Sequence, residues 1–284
     1  MRILHRLSTE VPYFQPTQDA TGRSGVSPLQ KCTAAIRQLA YGGGADTIDE
    51  YFTAGIIHLF GDQYLRRPTP EDLQRLLYVG EERGFPGMIG SINCMHWEWK
   101  NCPSSWKGMY SRGTEKPTLV LEAVASYDLW IWHTFFRVPG TMNDLNILDR
   151  SLVFDDIIDG IAPEINFHVN GREYHLAYYL TDGIYLKWAT LIQSIRLPQG
   201  PKKALFAKTQ ESVRKDVERA FGVLQARFAV MNEDHTLSVI FPNLMKEKEK
   251  EKVWSVHIPS VCLQIPAIPL ILRKEFRMNK PIND

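Results

Sequence analysis

Four residues of this 284-residue chain have the types and order that metal-assisted phosphodiester chemistry uses: Asn93, Asp144, Asp182 and Glu218. Two divalent cations about 3.5–4 Å apart can hold an attacking water and a leaving oxygen. Such ions, Mg2+ or Mn2+, take oxygen ligands and favour carboxylates. Asp182 stands directly before Gly183 at the end of an apolar run, where a side chain can face a cleft; in Asp-Gly it reads equally as a turn aspartate. Asp144 follows Asn143 at a helix start and reads equally as an N-terminal cap. Glu218 lies beside an apolar helical stripe, four residues after Arg214, and reads equally as that arginine's exposed partner. Asn93 can offer a metal its amide oxygen but no negative charge; the plain alternative is a strand-end residue without a role.

The elements that must position these groups are visible in the pattern. Residues 27–41 read as a helix, with Ser27 as cap, Pro28 at its first position, Leu29, Cys32, Ile36 and Leu39 on one face, and Gly42–Gly44 as its stop. Thr47 and Glu50 make a capping box for a second helix to about Phe60. Thr69-Pro70-Glu71-Asp72 opens a third, ending before Gly84. From Phe85 the period changes. Met88–Met95 and Thr118–Ser126 read as strands, and Leu129–Val138 as a third strand after a tight Tyr127-Asp128 turn. A short helix runs from Asp144 to Leu148. A fourth strand, Tyr174–Leu180, leads into Thr181-Asp182-Gly183. A lysine-rich loop precedes a helix at 211–229, with Val213, Val217, Ala220, Phe221, Leu224 and Phe228 on one face.

This order predicts an α/β fold, an RNase H-like nuclease core with a mixed sheet flanked by helices, preceded by a small truncated helical segment. The expected domains are a helix-turn-helix-like segment at 1–85, the core at 86–230 and a divergent, poorly ordered tail at 231–284. That tail alternates Lys and Glu at 246–252 and is broken by Pro259, Pro266, Pro269 and Pro281. In such a core, acids from the first strand, the fourth strand and a late helix converge on the metals. Asp182 after the fourth strand, Glu218 on the late helix and Asp144 at the helix start between them are together hard to assign to chance, whatever the plain reading of each.

The residues at 87–103, 117–133, 140–148, 178–185 and 214–225 carry a resemblance to the Harbinger (PIF) superfamily of transposases and transposase-derived nucleases, in its plant-type form with a DDE domain; it covers roughly residues 10–230. The resemblance implies a hydrolase that cuts DNA with Mg2+ or Mn2+, and metal ligands at the positions of Asn93, Asp144, Asp182 and Glu218, of which Asp144, Asp182 and Glu218 would be catalytic. It also implies a nuclear location and a separate Myb-like DNA-binding partner. The chain departs from the family pattern in ways that bear on activity. Asn93 stands where the family has aspartate. Leu186 replaces a usual proline. About 20 residues of a helix-turn-helix-like unit are missing between Tyr51 and Ile56, well beyond the usual variation of a helix–helix connection. After Val230 the family's helices give way to the Lys-Glu run. The expected activity is therefore an impaired endonuclease. The alternatives are a non-catalytic DNA- or protein-binding derivative, or a decayed element without function.

Charge adds a second expectation. The whole chain carries +1, which argues neither way about nucleic acid. Residues 187–228 hold nine lysines and arginines against three acids, a local +6. Lys202, Lys203, Lys208, Arg214, Lys215 and Arg219 are the candidate DNA-phosphate contacts, a solvated helix face being the plain alternative. Trp97, Trp99 and Trp106 could stack on bases but read better as packing residues. The four cysteines include no C-x-x-C pair, so free thiols are expected, and Cys94, His96 and Cys102 lack a fourth zinc ligand. No apolar run reaches the roughly 20 residues that cross a bilayer.

Overall fold

In the computed structural model, the described residues are 2–41, 47–64, 66–99, 102–112, 116–148, 150–155, 159, 162–185 and 187–227. The expectations for the tail beyond 230, for the Gly42–Gly44 stop and for Leu186 lie outside them.

The chain divides into two compact units. Among the described residues, the first holds those up to Arg66, those of Trp99–Lys107 and those from Leu224 to Arg227; the second holds those of Arg67–Glu98 and Gly108–Val223. In the first unit, α1 (Arg2–Glu10), α2 (Pro28–Tyr41) and α3 (Thr47–Tyr64) are helices. Ser27 does cap α2: its hydroxyl accepts from the Gln30 N–H at 3.3 Å, and Gln30 Oε1 accepts from the Ser27 N–H at 2.9 Å. Of the expected buried face of α2, Cys32 is buried, whereas Leu29 is exposed and Ala35 is buried in addition. Lys31 is buried too, because its ammonium finds the Tyr13 carbonyl at 2.6 Å and the face of the Tyr13 ring. The second helix is longer than the expected stop at Phe60, running to Tyr64.

The second unit carries the sheet. It opens with α4 (Pro70–Glu82), whose start at Thr69 is the one read from the sequence and proves to be a capping box: the Thr69 side chain accepts from the Asp72 N–H and the Asp72 carboxylate accepts from the Thr69 N–H. Among the described residues seven strands follow: β1 (Met88–Glu98), β2 (Thr118–Ala125), β3 (Ile131–Pro139), β4 (Phe167–Val169), β5 (Arg172–Tyr174), β6 (Tyr178–Thr181) and β7 (Leu191–Gln193). Five of them form a mixed sheet in the order β3-β2-β1-β6-β7, with β1, β2 and β3 antiparallel and β6 and β7 parallel to β1. β4 and β5 make a separate hairpin. Helices flank the sheet, and this mixed α/β arrangement is consistent with an RNase H-like core.

Several boundaries differ from expectation for physical reasons. β1 continues three residues past Met95, because Trp97 pairs across to Leu119 and is buried. Trp97 and Trp99 are buried, so they serve packing and present no face to a base. The turn after β2 is wider than two residues. Ser126 pairs with the Trp130 carbonyl, and Leu129 takes φ 62°, so it belongs to the turn. The expected fourth strand splits into β5 and β6 around a break at residues 175–177. The expected lysine-rich loop is a helix, α7 (Pro201–Arg214), counting the short helices Lys107–Tyr110 and Asp144–Leu148 as α5 and α6. A separate helix, α8 (Asp216–Arg227), follows a break at Lys215. Gly200 at φ 82° and Pro201 at the first helical position start α7.

Two buried clusters fix the sheet from its two sides. Ile92, Val124, Leu148, Phe154, Tyr185 and Leu191 pack together, with Cys94 against them. Phe85, Met88, Tyr178, Leu180 and Val213 form the other, with Phe206 against them.

Candidate functional site

The four candidate residues all lie in the second unit, on elements the sheet and its helices position. Asn93 is on β1, opposite Ala123. Asp144 is the first residue of α6. It does not act as the cap, because Asn143 does: the Asn143 Oδ1 accepts from the Asn146 N–H at 2.8 Å. The chain enters this turn at Gly140, which lies so close to Thr118 that an added Cβ would sit 1.7 Å from its hydroxyl. Asp182 directly follows β6, and its Oδ1 accepts from the Ile184 N–H at 3.0 Å. Behind it, Gln210 of α7 donates its side-chain amide to the carbonyls of Thr181, at 2.8 Å, and Ile192, at 3.0 Å. One buried glutamine thus clamps the ends of β6 and β7 at the residue before Asp182. Glu218 is in the first turn of α8.

These residues are brought together as two pairs. Asp144 lies near enough to Asp182 for their like charges to interact: burial, then the Asp182 charge, raise the Asp144 carboxyl above its ordinary value, against weaker opposing pulls from His96 and Arg112. Asn93 reaches Glu218, its Nδ2 standing 3.5 Å from the Glu218 Oε1. Successive residues of a strand face opposite sides. Cys94 joins the cluster containing Leu148, four residues beyond Asp144, and its thiol pKa is raised first by burial and further by the charges of Glu122, Asp144 and Asp182. Glu218 therefore lies on the Asn93 side of β1, opposite the face that carries Cys94.

The plain reading of Glu218 is realised. Arg214 Nη1 stands 2.7 Å from its Oε1, one helical turn earlier. Among the described residues, no group of three or more His, Cys, Asp or Glu side chains could hold a metal ion. The donor set is one pair of carboxylates, a third already engaged by a guanidinium, and a neutral amide that donates toward that third. It does not fit a pair of dications, which need several converging carboxylates.

Of the six candidate DNA contacts, Lys202, Lys203, Lys208 and Lys215 are exposed. Arg214 is spent on Glu218, and Arg219 donates to Asp216 and to the Ser212 carbonyl. Asp216 is buried and also accepts from Arg83 at 2.5 Å. It ties the start of α8 to the end of α4.

One polar cluster escaped the sequence reading. Glu122, within the apolar run of β2, is fully buried. Its carboxyl is pushed up to about 7, chiefly by burial, with Ser151 pulling it down and the Asp144 charge pushing it up. Ser151 lies close enough for that pull, yet no well-directed hydrogen bond reaches either Glu122 oxygen. His133 Nε2 contacts the Ser151 hydroxyl at 2.9 Å, and burial pushes that imidazole down to about 4. The signal available in the sequence was one acid in an otherwise apolar strand. A Ser-His-acid relay is not formed, because the same imidazole nitrogen faces both partners, whereas such a relay uses one nitrogen for each.

Among known proteins, a family model described as Plant transposon protein matches residues 62–246, more than half of the chain. No curated protein and no solved structure matches.

Proposed function

Because the chain belongs to the plant transposon protein family, we propose that it is a DNA-binding descendant of a Harbinger-type DDE transposase whose cleft no longer cuts DNA. The observation that carries this reading is the outer surface of α7. Lys202, Lys203 and Lys208, with Lys215 just beyond, are exposed, and no ion pair among the described residues engages them. The helix has one acid, Glu211, which accepts from Ser194. Lys202, Lys203 and Lys208 lie on α7, and Lys215 at the break that follows it. Such a set neutralises phosphates without reading sequence, so affinity would come from counterion release. Site choice would fall to a Myb-like partner in the nucleus, as the family likeness implies.

The loss of cutting follows from the donor set. The family reaction asks Asn93, Asp182 and Glu218, with Asp144, to gather Mg2+ or Mn2+; here Asn93 contributes no charge and Glu218 is held by Arg214. One observation favours the second reading, a residual metal-dependent endonuclease: the Asp144–Asp182 pair survives and could hold a single ion.

The test is fluorescence anisotropy of a labelled DNA duplex with the full chain, in EDTA, across a salt series. Binding should weaken steeply with salt, and Lys208→Gln with Lys215→Gln should reduce the slope by about 2, roughly one for each phosphate no longer neutralised. A wild-type chain that does not bind, or a slope unmoved by both substitutions, would contradict the reading.

A further inference from the structure

We propose that Asn93 and Arg214 together take over, for Glu218, the part a dication would play: they neutralise and orient its carboxylate, so that this side of the cleft keeps its shape without metal. The proposal rests on the reading that the cleft no longer cuts.

The geometry is internally determined. The Asn93 Oδ1 accepts from the Cys94 N–H at 2.9 Å, which fixes which end of the amide points where. The Nδ2 is left facing the Glu218 Oε1 at 3.5 Å, the outer limit of a hydrogen bond. A turned amide would set two oxygens against each other and forfeit the bond to the Cys94 N–H. Arg214 Nη1 meets the same Oε1 at 2.7 Å, so one carboxylate oxygen is shared by a neutral donor from β1 and a charged donor from α8's neighbour, α7. The charge of Glu218 is thereby matched inside the protein. An aspartate at 93 would reverse this. Two carboxylates would face each other across the same gap with one guanidinium between them, and like charges that close favour a bound cation or a proton. The Glu218 side chain is 41% exposed, so solvent screens part of each effect and the expected changes are modest.

The experiment is thermal melting of the full-length chain in EDTA and in excess MnCl2, for the wild type, Asn93→Asp and Asn93→Ala. The wild type should melt at the same temperature in both. Asn93→Asp should melt about 2–4 °C lower in EDTA, the shift expected for a modest loss in a chain this size, and should regain the difference in Mn2+. Asn93→Ala removes the amide without adding charge, so its loss should be smaller and Mn2+ should not restore it. Should Asn93→Asp fail to fold in EDTA, refolding on addition of Mn2+ is the same positive result, and Asn93→Ala still supplies the control. The proposal is overturned if Mn2+ stabilises the wild type as much as Asn93→Asp, if Asn93→Asp matches the wild type in EDTA, or if Mn2+ rescues Asn93→Ala. DNA anisotropy in EDTA, run on the same samples, separates the two failures: a wild type that binds DNA but gains stability from Mn2+ sinks this proposal alone.

Discussion

The Nε2 of His133 stands 3.8 Å from the Oε1 of Glu122, and burial holds both groups toward their neutral forms. That relationship makes stability depend on pH in two opposed directions. Glu122 has a folded pKa of about 7, above its ordinary 4.5. The stability tied to it is fully present below pH 4.5 and is lost as pH rises through 7. The shift corresponds to about 3 kcal/mol as an order of magnitude. His133 has a folded pKa of about 4, below its ordinary 6.5. Its contribution is present above 6.5 and is lost as pH falls through 4. Urea unfolding of Glu122→Gln against wild type at pH 5 and pH 8 isolates the first effect. The variant should gain on the wild type at pH 8 relative to pH 5, and a difference that does not change with pH would count against the assignment.

Gln210 ties two strand ends with one side chain, through the Thr181 and Ile192 carbonyls. Gln210→Ala should cost about 2–3 kcal/mol, because it leaves a buried carbonyl, at Thr181, and a part-buried one, at Ile192, short of donors. Amide hydrogen exchange should quicken at β6 and β7 before it does in β2. Uniform acceleration across the sheet would show that the glutamine is not a local clamp.

Asp216 is buried between Arg83 and Arg219. Asp216→Asn should destabilise the chain by about 3 kcal/mol or more, since it strands two guanidinium groups around a neutral amide. Arg219 is half exposed at its side chain, so Arg219→Ala should cost no more than about 1 kcal/mol. Equal effects of the two substitutions in chemical denaturation would contradict this ranking.

The parts of the fold that are legible in the sequence are those governed by local rules. Thr69, Pro70, Glu71 and Asp72 announce α4 because a helix start signal is written within four residues. β2 is evident because it is apolar almost throughout, as a central strand covered on both faces must be. The interval from Asp144 to Leu148 reads as a helix, although Asn143, not Asp144, caps it. The parts that escape a sequence reading depend on distant partners. α7 reads as a loop because its buried stripe is narrow, consisting of Ala207, Gln210 and Val213, and one of the three is polar. The break at Lys215 is not apparent until Asp216 is seen to be buried against Arg83, 133 positions away. The four candidate residues do fall on a strand, a helix start, a strand end and a late helix. What spacing could not reveal is the direction of each side chain: Asn93 turns to Glu218, while Asp144 keeps company with Asp182.

The most direct test of the central claim puts the wild-type chain on supercoiled plasmid, with binding followed in EDTA and topology followed in Mg2+ and in Mn2+, beside Glu218→Ala. The account predicts that the plasmid is retarded in EDTA and remains supercoiled with either ion. Metal-dependent nicking by the wild type that disappears in Glu218→Ala would contradict it, and would restore Glu218 to the role of a working metal ligand.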